Sequence, residues 1–287
     1  MKAYAIGLYE KAMPGAMSWK EKLQCAKECG YDFVEISIDE SDEKLSRLDW
    51  SSDKRLELVR TMKETGVPIR SMCLSGHRKY PFGSPDPRIR LRSMEIMEKA
   101  LELADDLGIR IIQLAGYDVY YEPGTSETER LFRENLQKAV LMAAEKGIVM
   151  GFETMETEFM NTTEKAMKYV NLIDNPYLGV YPDSGNLTNA ALTSRSSVLE
   201  DLETGRGHIC ALHLKETVPG KFREIPFLTG HVDFEAVISK SWELGIRRYV
   251  TEMWDVGNAG WKDDIRFARK TMSDILNRQE ENNRRNS

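Results

Sequence analysis

Four short apolar runs in the second half of the chain each lead into a side chain that can ligate a metal. IVMGFE ends at Glu153, LGVYPD at Asp183, ICALH at His213 and RYVTE at Glu252. Two Glu, one Asp and one His make a hard, mostly oxygen shell. It suits one divalent ion such as Mn²⁺, Mg²⁺ or Co²⁺, and the imidazole admits Zn²⁺. Taken singly, a Glu or Asp at a strand end reads as a helix N-cap, an ion-pair partner or a solvated loop residue. The set lies 30, 30 and 39 positions apart, the length of one βα unit or of one with a longer loop. Neighbouring parallel strands would then converge the four side chains at the mouth of a barrel, where such folds place their chemistry. Side-chain alternation puts Gly151 on the face of Glu153 and Ala211 on the face of His213, leaving room beneath the ligands.

The elements that must position these residues follow from periodicity. Strand-like runs occupy 3–8, 32–38, 68–74, 109–116, 148–153, 177–183, 209–215 and 248–254. Between them lie helical periods such as WKEKLQCAKECG, DKRLELVRTMKETG and ETERLFRENLQKAVLMAAEKG. Gly30, Gly66, Gly108, Gly147, the Asp174-Asn175 pair and Gly245 stand just before strands, where a left-handed residue stops a helix. Such alternation predicts a (β/α)₈ TIM barrel, a single domain over 1–276, with a frayed tail at 277–287. A doubly wound sheet would alternate too, but gives no reason for ligands on four consecutive strands. The segments after the second, third, sixth and seventh strands are long and polar, as loops that build specificity are.

Composition narrows the function classes. The chain has 287 residues and a formal charge of −6, so its surface as a whole does not attract polyanions and no nucleic-acid partner is expected. No apolar run approaches the length of a membrane span, and the first residues lack the pattern of a signal peptide. Cys25, Cys29, Cys73 and Cys210 form no CxxC pair and read as reduced thiols in a cytoplasmic protein.

The phrases GLYEKAMP (7–14), DFVEISIDESDEKLSRLDW (32–50), SMCLSGHRKYPFGS (71–84), FETMETEFMNT (152–162), YPDSGNL (181–187) and HLKETVPGKFREIPF (213–227) resemble the L-ribulose-5-phosphate 3-epimerases. These are also called L-xylulose-5-phosphate 3-epimerases, and the resemblance spans almost the whole chain. The family belongs to the xylose isomerase-like barrels. Its members interconvert two ketopentose phosphates in the degradation of L-ascorbate and related sugars. The resemblance implies that Glu153, Asp183, His213 and Glu252 hold one divalent ion, and that Glu153 and Glu252 are also the acid/base pair. Inverting C3 needs a proton removed from one face and returned to the other, while a metal stabilises the enediolate. A homodimer is expected from the resemblance alone.

A phosphorylated ketose needs a cationic subsite. Lys215, Thr217 and Arg223 lie beyond the seventh strand, followed by Thr229, Gly230 and His231. His77, Arg78 and Lys79 form a second group after the third strand; Arg78 suits phosphate and His77 could hold a sugar hydroxyl. Asn186 could hydrogen-bond a substrate oxygen. Glu156 and Glu158 read as solvated loop residues, and Leu228 stands where the resemblance leads one to expect glycine. The leading reading is a metal-dependent 3-epimerase of L-xylulose 5-phosphate and L-ribulose 5-phosphate. A free-ketose 3-epimerase or an aldose–ketose isomerase would share its metal shell. An endonuclease-type phosphodiesterase would need several zinc ions and more than the four His present. A binder that has lost catalysis would have no use for two Glu on opposite faces.

Overall fold

A computed structural model of the chain describes residues 2–286. The apolar runs form eight strands: β1 (Ala5–Tyr9), β2 (Phe33–Ile38), β3 (Ile69–Leu74), β4 (Ile111–Ala115), β5 (Val149–Glu153), β6 (Leu178–Val180), β7 (Leu212–Leu214) and β8 (Arg248–Thr251). All pairings are parallel, in the order β6-β5-β4-β3-β2-β1-β8-β7. Bridges Val180↔Ile209 and Asp183↔His213 join the two ends, so the sheet closes into the predicted (β/α)₈ barrel. β6 and β7 are shorter than their sequence runs. Pro182 has no N–H to give a ladder, and Asp183 already caps the next helix.

The six anticipated connecting helices are Trp19–Glu28, Ser52–Thr65, Pro87–Leu107, Ser126–Glu145, Thr163–Ile173 and Phe234–Glu243. Each begins on a Ser, Thr or Asp whose side chain accepts a backbone N–H of the first turn. Gly66 and Gly108 end their helices at φ 77° and 72°, and Asp174 does the same at φ 48°. Two further helices, Ser184–Ser194 and Val198–Thr204, occupy the connection after β6, and Trp261–Asn286 follows β8. The last corrects the expectation of a frayed tail, because 277–286 continues that helix. The Tyr4 hydroxyl donates to Asn277 Oδ1 at 2.8 Å, and Arg278 pairs with Glu235. These contacts tie the polar stretch to the barrel. Among the described residues no helix is long and apolar enough to cross a membrane.

Apart from a small cluster of Ala115, Tyr117 and Met155, the apolar side chains fill two main spaces. One lies between sheet and helices and includes Ile36, Ile112, Phe152 and Leu214; the other, inside the barrel, holds Tyr9, Phe33, Cys73, Ile111, Tyr181, Ala211 and Val250. A Cβ at Gly7 would stand 2.3 Å from the Phe33 ring, and one at Gly151 would stand 2.9 Å from Tyr181 Cβ. Both positions must be bare for these rings to fit under the site.

Candidate metal centre and substrate pocket

The four ligand candidates meet. Glu153 is the last residue of β5, Asp183 follows β6, His213 lies within β7 and Glu252 follows β8. One ligand atom from each lies within 4.8 Å of all the others, and all four residues are buried. His213 Nδ1 stands 3.2 Å from Glu252 Oε2 and 3.7 Å from Glu153 Oε1. Asp183 has two jobs: Oδ1 accepts the Asn186 N–H at 2.6 Å as the helix cap, whereas Oδ2 is buried with no partner. A buried carboxylate oxygen without a donor is costly. A cation among these ligands would remove that cost, so the residues fit one divalent ion.

The charges press in the same direction. Burial, then the charge of Glu252, pushes the Glu153 carboxyl up, and burial pushes Asp183 up to about 8 against the pull of Lys215. Burial would raise Glu252 as well, but Lys215 and His213 hold it well below the usual carboxylate range. Burial works against protonated His213, yet Glu35 and Glu252 keep it well above its ordinary value. Carboxylates this close in a dry pocket cannot all stay ionised without more positive charge.

Lys215 is turned into this centre while also lining the pocket above it. Its ammonium lies 3.1 Å from Asp183 Oδ1, 2.8 Å from Asn186 Oδ1 and 3.5 Å from Glu252 Oε2. It donates to Asn186 and pairs with both carboxylates. Asn186 is likewise committed: its Nδ2 donates to the Thr154 carbonyl at 2.7 Å while Oδ1 accepts from Lys215. It holds the lysine and the loop, and it also lines the pocket above the centre.

Above the centre opens a pocket whose lining includes Tyr9, Glu153, Glu252, Trp254, Arg78 and Arg223. Arg78 lies over the Tyr120 ring at 4.7 Å, and its Nε is buried without a partner. Arg223 donates to Glu156 Oε1 at 3.0 Å, and the Tyr120 hydroxyl donates to the same oxygen at 2.8 Å. The two guanidinium groups thus come to one pocket, bridged through Tyr120 and Glu156. Glu156, read as a solvated loop residue, joins the loops after β4, β5 and β7.

His77 is not brought to the pocket. Its Nε2 lies 3.1 Å from the Ser93 carbonyl, its ring packs 4.4 Å from that of Phe82, and burial pushes it down to about 4. It is therefore neutral near pH 7, a buried support for the helix Pro87–Leu107. Thr217 and His231 are also spent internally: the threonine hydroxyl donates to the Gly185 carbonyl at 3.1 Å and meets His231 Nε2 at 3.0 Å. Buried Glu216 gathers the loop by accepting the N–H groups of Thr217, Leu228 and Val232. Within that loop Leu228 sits at φ 65°, a left-handed conformation that explains why glycine was expected there.

Sequence reasoning missed Glu35. It is fully buried in β2, and its Oε1 stands 2.6 Å from His213 Nε2 while Oε2 accepts the Tyr181 hydroxyl at 2.9 Å. The available signal was a charged residue inside the apolar run FVEISI, since Glu is seldom fully buried without a partner.

Comparison with known proteins agrees with this geometry. Residues 23–271 match the family described as xylose isomerase-like TIM barrel. Among curated relatives, L-ribulose-5-phosphate 3-epimerase UlaE of Escherichia coli O139:H28 is 47% identical over 254 residues, 88% of each chain. Among solved structures, an L-ribulose 3-epimerase superposes with TM-score 0.79 at 16% identity, covering 99% of this chain and 98% of that one. A D-allulose 3-epimerase from Methylomonas sp., in complex with D-allulose, gives TM-score 0.75 at 19% identity, with 97% and 98% coverage. These two show the shared fold. The chain is an isomerase of the epimerase class and belongs to the L-ribulose-5-phosphate 3-epimerase family of the xylose isomerase-like TIM barrels.

Proposed function

We propose that the protein interconverts L-xylulose 5-phosphate and L-ribulose 5-phosphate by moving the proton at C3. The observation that carries this reading is the buried pair Glu153 and Glu252, from β5 and the end of β8, grouped with Asp183 and His213 in one dry cluster. A divalent ion held by Glu153, Asp183, His213 and Glu252 would supply Lewis-acid stabilisation of the charge that develops on the C2 and C3 oxygens. Mn²⁺, Mg²⁺, Co²⁺ and Zn²⁺ all suit this donor set.

One Glu takes the C3 proton from one face of the sugar, and the other returns a proton to the opposite face. Burial raises both carboxyls, but Lys215 and His213 outweigh it at Glu252, so the two sit in unlike surroundings. The reverse reaction exchanges their roles. Trp254 and Tyr9, whose rings meet edge to face at 6.1 Å, wall the pocket and exclude water from the reacting carbon. Arg78 and Arg223 hold the phosphate by charge-assisted hydrogen bonds. Lys215 and Asn186 orient the carboxylates instead.

Four free thiols accord with a reducing, cytoplasmic setting. Family resemblance adds a homodimer, which light scattering after gel filtration checks. The activity is tested by incubating the metal-loaded protein with L-xylulose 5-phosphate in deuterated water. L-Ribulose 5-phosphate carrying deuterium at C3 is expected; no exchange with any ketopentose phosphate would overturn the reading.

A further inference from the structure

The β2 strand sends a carboxylate into the barrel where a hydrophobic side chain would fill space at no electrostatic cost. Glu35 is paired in register with Tyr9 of β1 and Ser71 of β3, so its backbone is held on both sides. It is fully buried, and the Tyr181 hydroxyl pins its Oε2 at 2.9 Å. Its Oε1 lies 2.6 Å from His213 Nε2. We propose that Glu35 is a positioning residue that keeps the His213 proton on Nε2, so that Nδ1 faces the metal ligands with a free lone pair, and thereby sets metal affinity. The proposal rests on the metal-centre reading but is independent of which sugar phosphate is turned over.

Donors and acceptors decide the tautomer. A carboxylate that already accepts from Tyr181 has only lone pairs to offer, and two lone pairs facing each other at 2.6 Å would repel. Nε2 must therefore carry hydrogen. The other ring nitrogen is left toward Glu153 and Glu252, with the Gln113 side-chain nitrogen, a donor, 3.0 Å away. A metal-ligating imidazole whose second nitrogen donates to a carboxylate is both oriented and made more basic. Here the orienting group arrives from across the barrel, 178 positions earlier in the chain. The Tyr181 ring also packs edge-on against His213, with centroids 4.8 Å apart, so Tyr181 braces both members of the pair.

The experiment is calorimetric titration of Mn²⁺ into metal-free wild type, Glu35→Gln and Glu35→Ala, with ¹⁵N NMR of the His213 ring in the same metal-free proteins at a pH high enough for the imidazolium to have lost one proton. Glutamine keeps an acceptor oxygen and alanine does not. The expected result is that Glu35→Ala weakens Mn²⁺ binding by about 10–100-fold, the usual cost of losing such a partner, and that Glu35→Gln recovers most of the loss. In the NMR spectra the Nε2–H form dominates in wild type, and alanine shifts the tautomer balance. Should the alanine variant fail to fold by circular dichroism, Tyr181→Phe removes the brace and leaves the carboxylate; a several-fold loss of Mn²⁺ affinity is then expected. A merely structural Glu35 would lower Tm while leaving affinity and tautomer as they were, and that outcome overturns the proposal. Failure of wild type to bind Mn²⁺, Mg²⁺, Co²⁺ or Zn²⁺ would instead overturn the metal-centre reading itself.

Discussion

Glu10, just after β1, offers a quantitative test of how the loop beside the pocket is held. Its carboxylate is fully buried and meets Lys44 Nζ at 2.8 Å, Lys22 Nζ at 3.4 Å and Arg47 Nη1 at 2.6 Å, and it accepts the Ser37 N–H at 2.9 Å. Burial alone would raise its pKa; Arg47 first, then Lys22 and Lys44, bring it down from 4.5 to about 2. A carboxyl depressed in the folded state contributes its full stability above the unfolded value and loses it as pH falls toward the folded one. The contribution is thus about 3 kcal/mol at pH 7, falling to roughly 1.5 kcal/mol at pH 3. Glu10→Gln keeps the size and removes the charge. Urea unfolding of both proteins at pH 7 and pH 3, without metal, should give a difference of about 3 kcal/mol that shrinks by about half. Subtracting the variant cancels the titration of every other carboxylate. A difference under about 1 kcal/mol at pH 7, or one unchanged at pH 3, would refute the reasoning. Tyr9 and Lys11, which line the pocket, flank Glu10, so the same variant should also loosen substrate binding.

Arg223→Ala and Arg78→Ala should each raise KM for the phosphate ester by about 10–100-fold, the worth of a charge-assisted hydrogen bond, and change it little for the free ketose. Equal effects on both substrates, measured in parallel assays, would remove the residue from phosphate recognition. Glu153→Gln and Glu252→Gln should each lower kcat by about 10²–10⁴-fold; near-normal turnover would exclude that carboxylate from proton transfer. Leu228→Gly should raise stability by about 0.5–1 kcal/mol. It relieves a left-handed leucine, at φ 65° and 54% exposed, and gives back part of the gain as unfolded-chain entropy. A lower Tm in a thermal melt would show that the loop does not strain at that position.

Much of the barrel was legible because its signals are local. Apolar runs, Ser, Thr and Asp caps and residues such as Gly66 announce their own elements, and Glu153 or Glu252 at the end of a run announces a place in the buried cluster. Residues whose role depends on what crosses the barrel were not legible. Lys215 follows His213 by two positions and precedes Thr217 and Arg223, so its neighbours in sequence suggested phosphate. Strand alternation instead puts it on the inward face with His213, among the oxygens of Asp183, Asn186 and Glu252. His77 looked like a companion of Arg78, yet the two side chains of one short turn point to opposite environments, His77 onto Ser93 and Arg78 into the pocket. The helix Ser184–Ser194 escaped notice because SGNLTN is poor in helix formers; the Asp183 cap and the packing of Leu187 establish it.

The place of Lys215 at the centre also bears on the electrostatics of the proposed reaction. The three ligand carboxylates, the Lys215 ammonium and one divalent ion would sum to neutrality, with Glu35 behind His213 adding one negative charge. Had Lys215 served the phosphate, the loaded centre would be more negative and oppose enediolate formation in a low-dielectric pocket. The Lys215 ammonium pairs with Oδ1 of Asp183, and Oδ2 is left without a protein partner. In the proposed reading, charge on the phosphate is met separately by Arg78 and Arg223, whose guanidinium groups line the pocket. The proposed reaction thus separates the roles of the site's cations: the lysine, among the oxygens of Asp183, Asn186 and Glu252, would offset the carboxylates, and the arginines would hold the far end of the substrate.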